Sequence, residues 1–176
     1  MLILGIDPGT ATTGYGFLNI HKLPKEGEKL NGHYTAGDFG LIETTMLNTP
    51  GERLYFIHNE LRKIIEKHKP HVMAIEKVFF ATNRKTAIRV GQAQGVMLMA
   101  AAHFSIAVVE YSPMTIKKIV AGNGRADKKQ VQKSVRDYLG NSIKSKPKKK
   151  THFDNEADAL AVALCHAMSL TELQED

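Results

Sequence analysis

Three acidic residues stand where otherwise apolar segments end or begin. Asp7 follows the apolar run from Met1 to Ile6 and precedes Pro8-Gly9, Glu76 ends the run from His71 to Ile75, and Asp158 opens an apolar helical pattern one turn after Asp154-Asn155-Glu156. In open α/β sheets, ligands bind beyond the carboxyl ends of the strands, where Asp7 and Glu76 would fall. Three carboxylates gathered in such a place resist ionisation unless a counter-charge joins them. A hard dication such as Mg²⁺, which takes one or two carboxylates plus phosphate oxygens and water, supplies that charge. Blander readings stand beside this one. Asp7 also suits a turn before Pro-Gly, and Asp158 suits a first helical turn, where the dipole favours acids. Glu76 is harder to explain locally, because the strand runs on into Lys77-Val78-Phe79-Phe80.

The elements that must position these acids are legible from periodicity. Met1 to Ile6, Gly14 to Ile20 and Tyr34 to Glu43 read as three strands joined by turns, an antiparallel meander. Thr49-Pro50-Gly51-Glu52 has capping-box spacing with proline at the first helical position, and Leu54, Ile57, Leu61, Ile64 and Ile65 follow at helical spacing up to Pro70. His71 to Ile75 and Ile106 to Glu110 are further strands. Helices are expected at Thr86 to His103, Pro113 to Val120, Asp127 to Leu139 and Asn155 to Leu170. Gly91 and Gly95 lower helix propensity and suggest close packing against a neighbour. The order predicts an α/β layer architecture, a mixed sheet with helices on its faces. Residues 1–170 are expected to form a single domain, with 171–176 as a C-terminal tail.

The chain has 176 residues, 43% hydrophobic and 24% charged, a globular balance that excludes wholesale disorder and leaves room for one sizeable core. No apolar run approaches the ~20 residues of a membrane span, and Met1 to Ile6 is too short for a secretory core. The lone Cys165 forms no internal disulfide, which suits a reducing, cytoplasmic setting. Lys and Arg total 24 against 18 Asp and Glu, a net charge of +6. Twelve of the 24 lie between Lys117 and Lys150, against Asp127 and Asp137 alone, so the excess is local, as on a nucleic-acid-binding face or a solvated basic helix and loop.

Five blocks then take on a joint meaning: Gly5-Ile6-Asp7-Pro8-Gly9-Thr10, Thr13-Gly14-Tyr15-Gly16, Ile75-Glu76-Lys77-Val78-Phe79, Gly91-Gln92-Ala93-Gln94-Gly95-Val96 and Ala157-Asp158-Ala159-Leu160-Ala161. In order and spacing the chain resembles, over essentially its whole length, the RuvC family of bacterial Holliday-junction resolvases. The first block alone also resembles the phosphate loop of actin-like ATPases, a family that repeats the motif in a second domain for which this length leaves no room. The RuvC resemblance implies an RNase H-like fold with a five-stranded mixed sheet flanked by α-helices on both faces. It also implies a homodimer that nicks two opposed strands of a four-way DNA junction symmetrically during recombination and repair. The products would carry 5′-phosphate and 3′-hydroxyl ends. Mg²⁺ is implied, with Mn²⁺ as substitute and two ions per site, and so is a branch-migration helicase complex of the RuvA and RuvB type as partner.

The implied catalytic and metal-binding positions are Asp7, Glu76, Asn155 and Asp158, with Asp7 between the two ions and Glu76 and Asp158 each on one side. Asn155 departs from the family, which has an acid or histidine there. An amide oxygen ligates a metal but brings no charge and cannot act as a base. Three accounts stay open: a natural variant, compensation by Asp154 or Glu156, or an engineered inactivating Asp→Asn change. Asp154 is the better-placed substitute, sharing a helix face with Asp158 at i, i+4. The implied DNA contacts are Phe79, for stacking at an opened junction, and Lys117 and Lys128, on phosphates near the scissile bond. Arg84 and Lys85 are further candidates, and Phe80 is assigned to the core. Lys118, Arg125, Lys129 and the run Lys146 to Lys150 add plausible contacts, whereas Cys165 and His166 are given no catalytic part. Two rivals remain: a junction-binding protein that does not cleave, motivated by Asn155, and an RNase H-like nuclease on another branched or RNA-containing substrate.

Overall fold

The computed structural model describes residues 1–22, 32–78, 84–140, 143 and 153–172, with the backbone alone at 84–86, 153–155 and 172. Strands β1 (Leu2–Asp7), β2 (Thr12–Ile20) and β3 (Tyr34–Glu43) form the antiparallel meander, while β4 (Val72–Glu76) and β5 (Ala107–Tyr111) continue the sheet in parallel beyond β1. The strand order is β3-β2-β1-β4-β5, a five-stranded mixed sheet. Central β1 is apolar without alternation because both its faces are covered, and Ile3, Leu4 and Ile6 are fully buried.

Helices α1 (Pro50–His68) and α2 (Arg84–His103) cover one face, and α3 (Pro113–Ala121), α4 (Lys128–Leu139) and α5 (Phe153–Glu172) cover the other. The first core joins Leu4, Ile6, Met73 and Ile75 to Ile57, Leu61, Ile65 and Met97. The second joins Ile3, Leu18, Val72 and Ala74 to Val120, Val135, Leu160 and Leu164. The expected capping box is present at α1, where Glu52 N donates to Thr49 Oγ1 at 3.3 Å and Thr49 N donates to Glu52 Oε2 at 2.7 Å. The helix ends at Lys69 in the left-handed region, just before Pro70.

The alanine-rich α5 lies against β1 and β2 at a distance only glycine permits. A Cβ on Gly5 would overlap the Ala159 carbonyl oxygen and come within 2.9 Å of Ala163 Cβ, and one on Gly16 would come within 2.8 Å of Leu160 Cδ2. This close approach brings Asp158 down to the ends of the central strands.

Several boundaries differ from expectation. Strands β1 and β4 extend far enough to include Asp7 and Glu76, and α2 begins two residues before Thr86. Helix α5 begins at Phe153 and runs to Glu172, past the expected boundary at 170. Asp158 therefore sits in the second turn, where the dipole explanation for an acid has faded. The expectation that Gly91 and Gly95 mark close packing is not met within the chain. Both are exposed, with no atom within 4 Å of either Cβ position, because α2 buries the opposite stripe of Ala93, Met97, Ala100 and Ala101. No helix among the described residues is long and apolar enough to cross a membrane.

Candidate active site

Strands β1 and β4 run parallel with Ile6 beside Ile75, so the next residue on each places Asp7 and Glu76 at adjacent strand ends. Side chains alternate along a strand, and Ile3 and Gly5 on β1, like Val72 and Ala74 on β4, face the α5 side. Asp7 and Glu76 therefore face it too. The two carboxyl groups lie close enough for each to act on the ionisation of the other.

The electrostatics show charge crowded into a poorly solvated place. Burial, then the charges of Glu76 and Asp158, push the Asp7 carboxyl up to about 7, against a smaller opposing pull from Lys128. Burial and Asp158 also raise Glu76, opposed by Lys117 and by Asp7. Asp158 Oδ2 meets Lys128 Nζ at 2.8 Å in a half-exposed ion pair.

Two capped helices deliver the lysines. Ser112 Oγ accepts from Thr115 N at 3.1 Å to start α3, which carries Lys117. Asp127 accepts from Gln130 N at 2.8 Å to start α4, whose first residue is Lys128. Glu76, Lys117, Lys128 and Asp158 line a cleft of about 260 Å³ over Ile116 and Val131.

Of the residues proposed from sequence, Asp7, Glu76, Asp158, Lys117 and Lys128 are thus brought together. Phe79 and Phe80, and the run Lys146 to Lys150, lie outside the described residues. Arg84 and Lys85 belong to the first turn of α2, and Asp154 and Asn155 to the first turn of α5, with side chains outside the description. The charge of Glu156, in the second half of the first turn of α5, acts on the Tyr15 hydroxyl and raises it. Cys165 is buried, and His166 Nδ1 lies 2.8 Å from Tyr111 Oη, tying α5 to the strand beside Glu76.

One contact near the site has no mark in the sequence. Arg53 on α1 donates to Thr44 Oγ1 at 2.8 Å and to the Thr10 carbonyl at 2.7 Å, and Thr44 Oγ1 donates to the same carbonyl at 2.6 Å. Together they pin the turn that follows Asp7. The partners lie too far apart in sequence for any local pattern to reveal them.

Among the described residues, no group of three His, Cys, Asp or Glu is already arranged to hold a metal ion. The pair Asp7–Glu76 is nonetheless a set of hard oxygen donors whose ionisation is suppressed by burial and mutual repulsion, with Asp158 close enough to raise both. A hard dication relieves that condition, so the donor chemistry fits one.

A family model described as crossover junction endodeoxyribonuclease RuvC matches residues 3–166. A protein of that description from Moorella thermoacetica is 47% identical over 167 residues, covering 95% of this chain and 91% of its own length. Another, from Caldicellulosiruptor saccharolyticus, is 42% identical over 179 residues, covering 100% and 99%. Among solved structures, T. thermophilus RuvC in complex with a Holliday junction substrate superposes with a TM-score of 0.82 at 31% identity, covering 98% of this chain and 96% of that one. The yeast mitochondrial Holliday junction resolvase Ydc2 shares the fold, with a TM-score of 0.71 at 17% identity and coverage of 98% and 80%. The mixed sheet with helices on both faces, and the full-length similarity at 42–47% identity, place this chain in the RuvC family of crossover junction endodeoxyribonucleases, an RNase H-like fold.

Proposed function

We propose that the chain resolves four-way DNA junctions by paired symmetric nicks, with Asp7, Glu76 and Asp158 as its catalytic acids. The observation that carries this reading is the meeting of Asp7 and Glu76 at neighbouring parallel strand ends, within electrostatic reach of Asp158 on α5. These acids, joined by Asn155, would hold Mg²⁺ or Mn²⁺, two ions per site. When bound, such a pair activates a water for in-line attack and offsets charge developing on the leaving 3′-oxygen.

The chain's own residues supply the rest. Asp7, raised to about 7, would have to lose its proton to hold a cation, so cation affinity should rise with pH through about 7. Lys117 and Lys128 sit beside the acids in the cleft and are placed to hold the phosphates flanking the scissile bond. Phe79, Arg84 and Lys85, in the segment after β4, are proposed DNA contacts. The described residues act as one nuclease domain, whose last helix runs through Glu172. The working unit is a homodimer, because two symmetric nicks need two related sites. The exposed face of α2, with Ile88 and Met99 60% and 55% exposed beside Gly91 and Gly95, is the candidate contact between copies. A branch-migration helicase complex is the partner in a reducing, cytoplasmic compartment.

Asn155 favours a second reading, a junction binder with weak or absent cleavage. Cleavage of labelled four-way junctions, flaps and RNA·DNA hybrids, with Mg²⁺ or Mn²⁺, is the test. The Asn155→Asp variant is expected to cut junctions at least about tenfold faster than the unsubstituted chain, as restoring a metal-site contact should. Inactivity of both chains on junctions supports the binder, and faster cutting of flaps or hybrids replaces the junction with another substrate.

A further inference from the structure

On the α1–α2 face of the sheet, opposite the acid cleft, a second cavity of about 310 Å³ lies next to the turn that follows Asp7. It opens between the turn after β1, the start of α1 and the second turn of α2. Its polar lining is Thr10, Asn48, Arg53, Arg89 and Gln92, with Met46 on its apolar side and no carboxylate among the described residues of its wall. We propose that this cavity binds a backbone phosphate of the junction strand that continues from the scissile bond. The proposal rests on the junction-nuclease reading and adds a subsite to it.

Three observations support this occupant. First, the lining holds two guanidinium groups and three neutral polar side chains, a set that attracts an anion and offers hydrogen-bond donors to it. Second, Arg53 is already held by its bonds to Thr44 and the Thr10 carbonyl, so little side-chain entropy is lost when its remaining N–H groups meet a phosphate. Third, Thr10 lies three residues beyond Asp7, at most about 11 Å along the chain. At about 3.4 Å of rise per nucleotide, that puts the Thr10 rim of the cavity within about three phosphates of Asp7, for a strand passing over the end of β1 from one face of the sheet to the other. Exposed Met46 beside the arginines would meet sugar or base rather than phosphate.

The test uses the full-length protein and a fluorescein-labelled four-way junction in EDTA, with Kd measured by anisotropy across salt concentrations. Arg89 is the variant site, because Arg53 also holds the turn. Arg89→Gln is expected to weaken binding about fivefold to tenfold near 0.1 M salt. It should also flatten the slope of log affinity against log salt by about 0.9, as expected when one phosphate goes unneutralised, and Arg89→Lys should keep that slope. A slope unchanged in Arg89→Gln overturns the proposal. So does weakened binding accompanied by loss of the dimer in sedimentation, which would assign the cavity to self-association. Failure of the unsubstituted chain to prefer a four-way junction to a linear duplex instead removes the reading on which the proposal rests.

Discussion

At the scale of single residues, the site gives up stability in exchange for chemistry. Asp7 has an ordinary value of 3.8 and is held near 7 by burial and by Glu76 and Asp158. An acid raised in this way stabilises the fold fully below 3.8 and loses that contribution as pH climbs through about 7. The shift corresponds to at most about 4 kcal/mol. In EDTA at pH 8, Asp7→Asn is therefore expected to unfold at higher urea than the unsubstituted chain, by about 2–4 kcal/mol, while losing cleavage. At pH 4 the gap should close, and equal stability at pH 8 would contradict the electrostatics described. Mg²⁺ should raise the Tm of the unsubstituted chain at pH 8 and leave that of Asp7→Asn nearly unmoved, because a ligand stabilises only the state that binds it. All three acids were legible in the sequence, Asp7 and Glu76 at the end of an apolar run and Asp158 at the start of one. Arg53 was not, since its partners Thr44 and Thr10 reach it only through the folded sheet.

At the scale of elements, the position of α5 decides whether a site exists. Gly5 and Gly16 let the helix backbone settle against β1 and β2. Gly5→Ala inserts a methyl group against the Ala159 carbonyl oxygen and Ala163, and one of the two elements must move. The expected cost is about 1–3 kcal/mol by chemical denaturation, with a larger proportional fall in cleavage because Asp158 retreats from Asp7. Wild-type cleavage in a destabilised Gly5→Ala would separate core packing from the acid geometry. Sequence periodicity located every strand and helix among the described residues, because buried stripes, Thr49-Pro50 and Ser112-Pro113 are local signals. Its reading of the glycines did not say which neighbour they meet: within the chain the tight contacts fall to the strand glycines Gly5 and Gly16, and Gly91 and Gly95 lie on the outer face of α2.

At the scale of the whole molecule, charge separates recognition from cutting. The +6 excess is concentrated late in the chain, and the described part of that segment brings Lys117 and Lys128 to the acid cleft. Junction affinity is therefore expected to fall steeply with salt, and replacing both lysines with glutamine should flatten the slope by about 0.9 for each phosphate left without its cation. Anisotropy titrations from low to physiological salt check this, and a slope indifferent to both changes would move the DNA path elsewhere. The charge pattern was readable from composition. The folding of α3 and α4 that aims those lysines was not, because it depends on how the two helices pack on α5.

The order of the three acids along the chain also governs when the protein becomes dangerous to a genome. A ribosome releases Asp7 before Glu76 and Glu76 before Asp158, which rides on a helix that must dock against an already paired β1 and β2. Chains that stop short of α5 thus hold the first two proposed acids without the third, and on that reading cutting waits until this helix has been made and docked.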